Sequence, residues 1–209
     1  MKQGPDQIAL PLDWPQAADD DRFLVSDANA EAFEHFRSWS MWPVKATILT
    51  GPRRSGRTLL ARAFCARVGG TLVDRAEHHD EEALFHAWNA AQESKRPLVM
   101  VTDEVPPAWA IRLPDLRTRI AVTPIARIGP PDDALFQAVI QLLFADRGLH
   151  IPDEALRFIS QRVERSYYAA ERIVEAIDRF AIADRARLTL PTIRRALAEG
   201  GLIDAGRAA

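Results

Sequence analysis

The segment from Gly51 to Thr58 is the part of the sequence whose residue types and spacing most clearly indicate chemistry. It reads GPRRSGRT and fits the pattern G-x-x-x-x-G-[K/R]-[ST] between a β-rich run, ATILT, and a helical run, LLARAFCARV. Such a loop directs successive backbone N–H groups and a helix N-terminus at phosphate oxygens, and the Thr58 hydroxyl is suited to Mg²⁺. The segment therefore predicts nucleotide binding, and a turn without a ligand is the alternative. The predicted contacts in this loop are Gly51, Pro52, Arg53, Arg54, Ser55, Gly56, Arg57 and Thr58.

Arg57 stands where loops of this pattern ordinarily carry lysine. An arginine keeps the positive charge, but its planar fork is bulkier than a compact ammonium group and does not sit over phosphates in the same way. We therefore expect that ADP or ATP can bind and that intrinsic hydrolysis is weak or absent.

A metal ion at this loop needs an acidic residue at the end of a second strand, and the sequence offers two candidates. One is Asp74 after TLV, and the other is the pair Asp103 and Glu104 after PLVMVT. The apolar run before the pair favours the second candidate, but the chain between this pair and the later strand candidate AVTPIARI is too short for a further strand and helix. Chain order therefore favours Asp74 as the metal ligand with Thr58, and Glu104 is a further predicted nucleotide contact. Arg75 follows Asp74, so the acidic residue that usually supports hydrolysis is missing.

The elements that must position these residues alternate between strands and helices up to about residue 130. A first helix is predicted from near Ser26 to before Pro43, and EEALFHAWNAAQES is a clear helical run between two strand candidates. AVTPIARI adds a further strand candidate, which Pro124 weakens. Four helical segments follow, and their predicted starts include Pro131, Asp153 and Pro191. The pattern is typical of a parallel α/β sheet followed by a small helical bundle.

The composition is that of an ordinary globular protein and excludes some functions. Of 209 residues, 47% are hydrophobic and 27% are charged, and the net charge is -2. That charge argues against broad nucleic-acid binding, which needs clustered Lys and Arg. The single cysteine, Cys65, fits a core position in a reducing cytoplasm. The sequence contains neither a signal peptide nor a long apolar run, so no membrane association is expected.

Together, the segments QIALPL, SGRT and LPDLRTRI resemble the Hda family, initiator-related regulators within the DnaA group of AAA+ proteins. VMVTDEVPPAW resembles the sensor-1 strand of that family and the Pro-Pro turn after it, and the resemblance covers nearly the whole chain. It implies an AAA+ type P-loop domain with a parallel sheet and a C-terminal helical lid. The expected division is an extended leader at 1–22, an α/β nucleotide-binding domain at 23–130, a helical lid at 131–204 and a tail at 205–209.

Three departures from the family pattern affect these expectations. The chain between the phosphate-loop helix and Asp74 is short, so one peripheral strand of the usual sheet is expected to be missing. Tyr168 stands about where the family carries its sensor-2 arginine, and Arg165 and Arg172 are the alternatives for that role. The last predicted helical segment ends near Leu202 and is not followed by the helix-turn-helix domain of the initiator, so autonomous origin binding is not expected.

The leader segment QIALPL resembles the family's peptide for binding the DNA-sliding clamp. An extended peptide can seat Leu10 and Leu12 in an apolar pocket while Gln7 forms hydrogen bonds at the rim. Pro11 limits the conformations lost on binding. Packing as an edge strand on the chain's own sheet, or pairing with a second copy in a homodimer, are the alternatives. The predicted clamp contacts are Gln7, Ile8, Ala9, Leu10, Pro11 and Leu12.

The segment LPDLRTRI resembles the family's box VII, and by that resemblance Arg119 is an arginine finger. The implied mechanism is stimulation in trans, in which Arg119 reaches the ATP bound by the DnaA initiator. The alternative is a surface residue that pairs with Asp115 one helical turn away.

The expected function is regulation of replication initiation: the protein binds the DNA-loaded clamp and prevents re-initiation by stimulating ATP hydrolysis on the initiator. The expected partners are the clamp and the initiator, with a homodimer as a further possibility and with DNA contacted only through the clamp. Two other functions stay open. An autonomous AAA+ ATPase, such as a clamp-loader-like subunit, would carry a lysine in place of Arg57, and a clamp-binding adaptor would have lost nucleotide binding.

Overall fold

Four parallel strands form the central sheet of the structure, a computed structural model that describes residues 24–203. The strands are β1 (Ala46–Thr50), β2 (Thr71–Asp74), β3 (Leu98–Val101) and β4 (Ile125–Arg127). Their order is β2-β3-β1-β4, and all neighbours run parallel. The central strands β1 and β3 are buried along their whole length, as expected when both faces of a sheet are covered. The predicted α/β class is confirmed, and the described sheet is as small as expected from the short chain before Asp74.

Eight α-helices accompany the sheet in the described part of the chain. They are α1 (Asp27–Arg37), α2 (Arg57–Val68), α3 (Glu81–Ser94), α4 (Pro114–Ala121), α5 (Asp133–Ala145), α6 (Asp153–Ser160), α7 (Tyr167–Asp184) and α8 (Leu190–Glu199). Helix α1 begins where predicted, because Ser26 and Asn29 form a reciprocal capping box. Helix α5 begins two residues after Pro131, because the Asp132 side chain caps it by accepting from the Leu135 N–H. None of these helices is long and apolar enough to cross a membrane.

The sheet is covered on both faces by separate apolar clusters. Successive residues of a strand point to opposite faces, so Leu49 faces α1 and α2 while Ile48 faces α3 and α4. The first face is aromatic: the ring of Phe64 lies 4.8 Å from that of Phe36. Cys65 is buried in the same cluster, and burial raises the pKa of its thiol to about 12, consistent with a core residue. All four tryptophans of the described chain are packing residues: Trp42 and Trp109 are buried, and Trp39 and Trp88 pack against these clusters.

Helices α5 to α8 enclose a third cluster of their own. Its largest fully buried side chains are Phe136, Ile140, Phe144, Ile151 and Ile159. Val139 packs against both this cluster and the one beside α1 and α2. The helical part therefore adjoins the sheet on the side where the loop before α2 lies.

Candidate functional site

Two glycines determine the backbone path of the loop between β1 and α2. Gly51 adopts φ +155°, and a Cβ placed there would lie 2.6 Å from the Ile128 carbonyl oxygen, so no side chain fits. Gly56 caps α2 with a left-handed φ of 81°, which glycine adopts without a steric cost. The helix that follows has 12 residues, and its first N–H groups are available to an anion.

The Arg57 side chain turns inward and ties the loop to the end of β3. Its guanidinium donates short hydrogen bonds to the Thr102 carbonyl and to the Asp103 carboxylate. The Arg57 side chain is 11% exposed, whereas the Asp103 side chain is 44% exposed. The hydrogen bond from Arg57 holds the pKa of Asp103 below its usual value. In the structure the Arg57 side chain therefore connects the loop to the end of β3 through these two hydrogen bonds.

Thr58 and Asp74, the residue pair predicted from chain order, lie together at the end of β2. The Thr58 Oγ1 atom lies 3.2 Å from both Asp74 carboxylate oxygens. A hydroxyl and a carboxylate are hard oxygen donors, which fits Mg²⁺ with phosphate and water as its remaining ligands. Among residues 24–203, no three His, Cys, Asp or Glu side chains converge on a metal-binding point. Any metal ion here would therefore depend on the nucleotide.

Two buried hydroxyl groups near the loop have no hydrogen-bond partner in the described part of the protein. They belong to Ser55, in the loop, and to Thr102, which follows β3 and accepts from Arg57 through its carbonyl. Both residues are nearly inaccessible to water, at 6% and 1% exposure. Buried polar groups are ordinarily satisfied, so the unpaired Ser55 hydroxyl, which also lines the adjoining cleft, points to a polar ligand.

A cleft lies between the loop and helices α5 and α7. One part has a volume of about 390 Å³, within the roughly 300–1,000 Å³ range of small-molecule sites. Its polar end is the loop, at residues 54–58. Its apolar wall comprises Leu24, Leu59, Leu135, Val139, Leu142, Leu143 and Tyr167. Gly51, Pro52, Arg53 and Glu104 are not among the residues lining this cleft.

The apolar wall was not predicted from the sequence. The Tyr167 hydroxyl donates to the Gly129 carbonyl at 3.4 Å, and burial, with Asp132 nearby, raises the pKa of that hydroxyl to about 12. Val139 and Leu143 look like ordinary core positions of an amphipathic helix, so their place beside the loop follows only from tertiary packing.

None of the three residues considered for the sensor-2 position lines the cleft. Arg165 pairs with Asp133 at 2.6 Å on the surface. The guanidinium of Arg172 lies 5.9 Å from the ring centre of Tyr168, which is 56% exposed. The charged side chain that α7 places in the cleft is Glu171.

Arg119 lies on α4 and is held by α3. Its Nε donates to the Asn89 Oδ1 at 2.9 Å, and its guanidinium lies 4.4 Å from the ring centre of Phe85 and 5.4 Å from that of Trp88. Its Nη1 donates to the Asp115 backbone carbonyl at 3.3 Å, so the contact with Asp115 does not involve the carboxylate. Nη2 forms no hydrogen bond within residues 24–203. The side chain is thus partly buried, held by Nε and open at one nitrogen.

Glu81, at the start of α3, fixes the start of α4. Its carboxylate accepts from the backbone N–H groups of Arg112 and Leu113, at 3.0 Å and 2.5 Å. These hydrogen bonds stabilise the charged form and hold the pKa of Glu81 below its usual value. Glu81 and Asn89 therefore orient the helix and the side chain of Arg119 from the same neighbouring helix.

We expect Glu81→Gln to lower the free energy of unfolding at about pH 7. Because the pKa of Glu81 is depressed in the folded state, its contribution is present above the pKa of the unfolded side chain and is lost as the pH falls through the folded value. Urea unfolding of both proteins from about pH 7 to about pH 3 should show the difference shrinking in acid. A difference that stays constant over this range contradicts the assignment.

The remaining predicted residues lie apart from the cleft or outside the described part. His78 and His79, which follow Asp74 after three residues, are exposed, and a ring nitrogen of His79 lies 3.0 Å from the Asp74 carbonyl oxygen. Glu104 is exposed after β3. The segment 7–12, with all the predicted clamp contacts, lies outside the residues that the structure describes.

Residues 133–197 match the family described as "Hda, lid domain". An uncharacterized protein of Haemophilus influenzae is 26% identical over 118 residues, which cover 56% of this chain. The match covers 51% of that relative, so the chain spans about half the length of the curated protein it matches.

Solved structures of two AAA+ proteins share the fold. Domain III of the Thermotoga maritima replication initiation protein DnaA superposes with a TM-score of 0.71 at 15% identity, covering 88% of this chain and 96% of that one. The Thermotoga maritima RuvB Holliday junction branch migration motor superposes with a TM-score of 0.63 at 14% identity, covering 89% and 72%. At such identities the likeness shows the fold alone.

Proposed function

Because the chain is an Hda-like protein related to the DnaA initiator, we propose that it inactivates the initiator by stimulating hydrolysis of the ATP bound there. It is a DnaA-related replication regulator with the AAA+ fold. The observation that carries the proposal is the position of the Arg119 side chain, which Asn89 and Phe85 hold while its Nη2 forms no hydrogen bond within residues 24–203. The division into a leader, a domain at 23–130 and a lid at 131–204, and the location in the cytoplasm, are part of the same proposal.

The surroundings of Arg119 support a role in which it acts on a neighbour's triphosphate. A guanidinium stabilises the negative charge that develops on a transferred phosphoryl group, provided that it is positioned in advance. The hydrogen bond from Nε to Asn89 fixes the plane of the fork, and Phe85 supports one face of it. Nη2 stays available for a phosphate oxygen. Asn89 and Phe85 are therefore positioning residues in this proposal, and Arg119 is the group that touches the reacting phosphate.

The chain's own nucleotide site is proposed to bind ADP or ATP without efficient turnover. The backbone of the loop and the Ser55 hydroxyl would hold the phosphates, Thr58 and Asp74 would hold Mg²⁺, and the apolar wall of the cleft would cover the base. A bound metal ion would compensate phosphate charge. Hydrolysis is disfavoured because Arg57 is engaged by Thr102 and Asp103 and because the residue after Asp74 is Arg75.

The leader is proposed to tether the chain to the DNA-loaded sliding clamp. The support is the sequence QIALPL, in which two leucines flank a proline and a glutamine precedes them. Tethering raises the local concentration of Arg119 near initiators on the same DNA without any new contact at the finger. A homodimer formed through the leader is the competing proposal.

We expect the triple variant Q7A/L10A/L12A to lose capture by immobilised clamp by about 100-fold, since anchor residues carry most of the free energy of such contacts. Asp19→Ala, which removes a charge from the same leader, is the matched control and should bind as wild type does. Undiminished capture of the triple variant contradicts the tether. The proposal as a whole is tested by the rate at which the initiator hydrolyses its bound ATP.

A second candidate function is a clamp-binding adaptor that has lost nucleotide binding. One observation favours it: two arginines of the loop are already paired within the protein, Arg57 with Asp103 and Arg54 with Glu171. The binding experiment described in the next subsection separates the two candidates. An autonomous ATPase has no comparable support, because Arg57 and Arg75 both depart from what hydrolysis needs.

A further inference from the structure

Glu171 places a negative charge in the cleft where phosphate is expected. It lies on α7, faces the loop, and its carboxylate Oε2 is 3.0 Å from the Arg54 Nε. The Glu171 side chain is 25% exposed and that of Arg54 is 64% exposed. The ion pair links the helical part of the structure to the tip of the loop.

Arg54 occupies the turn of the loop in an uncommon backbone conformation. Its φ is +67°, in the left-handed region that residues other than glycine rarely adopt. Both Arg54 and Glu171 line the same cleft as Ser55, whose buried hydroxyl has no partner in the described part. The ion pair therefore lies beside the polar group that points to a ligand.

The positive charges available to a phosphate in this cleft are few. The charged residues lining the part beside the loop are Arg54, Arg57 and Glu171, and Asp146 lines the adjoining part. Arg57 forms an ion pair with Asp103, and Arg54 forms one with Glu171. The positive charge of each guanidinium is therefore already balanced by a carboxylate. A phosphate group that binds at the loop must meet the Glu171 carboxylate or displace it from Arg54.

We propose that Glu171 is a specificity-determining residue that competes with nucleotide phosphate for Arg54. Occupation of the cleft opens the Arg54–Glu171 ion pair, and the cost of binding near the carboxylate rises with the charge of the ligand. The ligand class is nucleoside di- and triphosphates, and the triphosphate is penalised more. The inference rests on the proposed nucleotide site and adds to it the residue that limits its affinity.

The test is a titration of the full-length protein with ADP and with ATP by isothermal calorimetry at low salt. We expect Glu171→Gln to bind ATP about tenfold more tightly than wild type, to gain less for ADP, and to lose this advantage as salt screens the charges. Glu171→Arg should gain more than Glu171→Gln. A residue that only shapes the cleft would not produce this order or this dependence on salt.

Glu175→Gln is the matched control, because it removes the same charge from the exposed surface of α7 one turn further along. It should stay within about twofold of wild type. The inference is overturned if Glu171→Gln binds ATP no better than wild type, or if Glu175→Gln gains equally. Binding of ATP by wild type with no gain in Glu171→Gln would leave the nucleotide site standing and refute only the role of Glu171. Absence of binding in every variant would refute both and favour the adaptor.

Discussion

Replacing Arg119 with alanine is expected to lower the acceleration of initiator ATP hydrolysis by about 10³-fold or more. The guanidinium is the group proposed to meet the developing charge on the phosphoryl group, and Asn89 and Phe85 of α3 hold it in position. The measurement is single-turnover hydrolysis of ATP on the initiator, with DNA-loaded clamp and the variant. Capture of the variant by the clamp should equal that of wild type, since α4 is remote in sequence from QIALPL.

Arg112→Ala is the control for this experiment. Arg112 is also an exposed arginine close to the start of α4, and its hydrogen bond with Glu81 uses its backbone N–H. Its side chain can therefore be removed without breaking that bond. Acceleration should stay near the wild-type value. If Arg119→Ala stimulates as wild type does, or if Arg112→Ala loses as much, then Arg119 is not the finger.

The second large effect is expected at Phe64. Its side chain is fully buried, and its ring contacts those of Phe36 and Trp42, at centroid distances of 4.8 Å and 5.7 Å. Phe64→Ala should lower the free energy of unfolding by about 3–5 kcal/mol, because it removes buried apolar area and leaves a cavity. Chemical denaturation followed by circular dichroism measures the change.

Phe64→Leu provides the comparison, because it keeps most of the volume and should cost less than about 1.5 kcal/mol. The aromatic cluster lies beneath α2, the helix that carries Thr58. A loss below about 1 kcal/mol for Phe64→Ala would show that the cluster does not hold α2 on the sheet.

Local sequence signals predicted much of the fold. The run EEALFHAWNAAQES corresponds to the bounds of α3, and Pro124 stands immediately before β4, a short edge strand where proline is tolerated. Chain order favoured Asp74 over Asp103, and the Thr58 hydroxyl does lie beside Asp74, while the role of the two residues as metal ligands stays a prediction. Helix α4 was not predicted, because the polar segment PDLRTRIA has only two buried apolar residues.

The site itself depends on contacts that no local pattern reveals. Arg57 and Asp103 are 46 residues apart, and their ion pair forms because β3 ends beside the loop. In the sequence Glu171 resembles any other charged residue of an amphipathic helix. Its contact with Arg54 follows only from the packing of α7 against the loop. The contacts of Arg119 could not be predicted from local sequence either. Phe85, Trp88 and Asn89 have ordinary helical spacing, and they meet the guanidinium only because α3 packs on α4.

The most direct test measures how fast purified initiator hydrolyses its bound ATP when this protein is added in the presence of clamp loaded on DNA. We predict a faster rate than with clamp and DNA alone, and a return to the basal rate when the clamp is omitted. An initiator that keeps its ATP for as long with the protein as without it, although the protein is folded and held by the clamp, would contradict the proposed function.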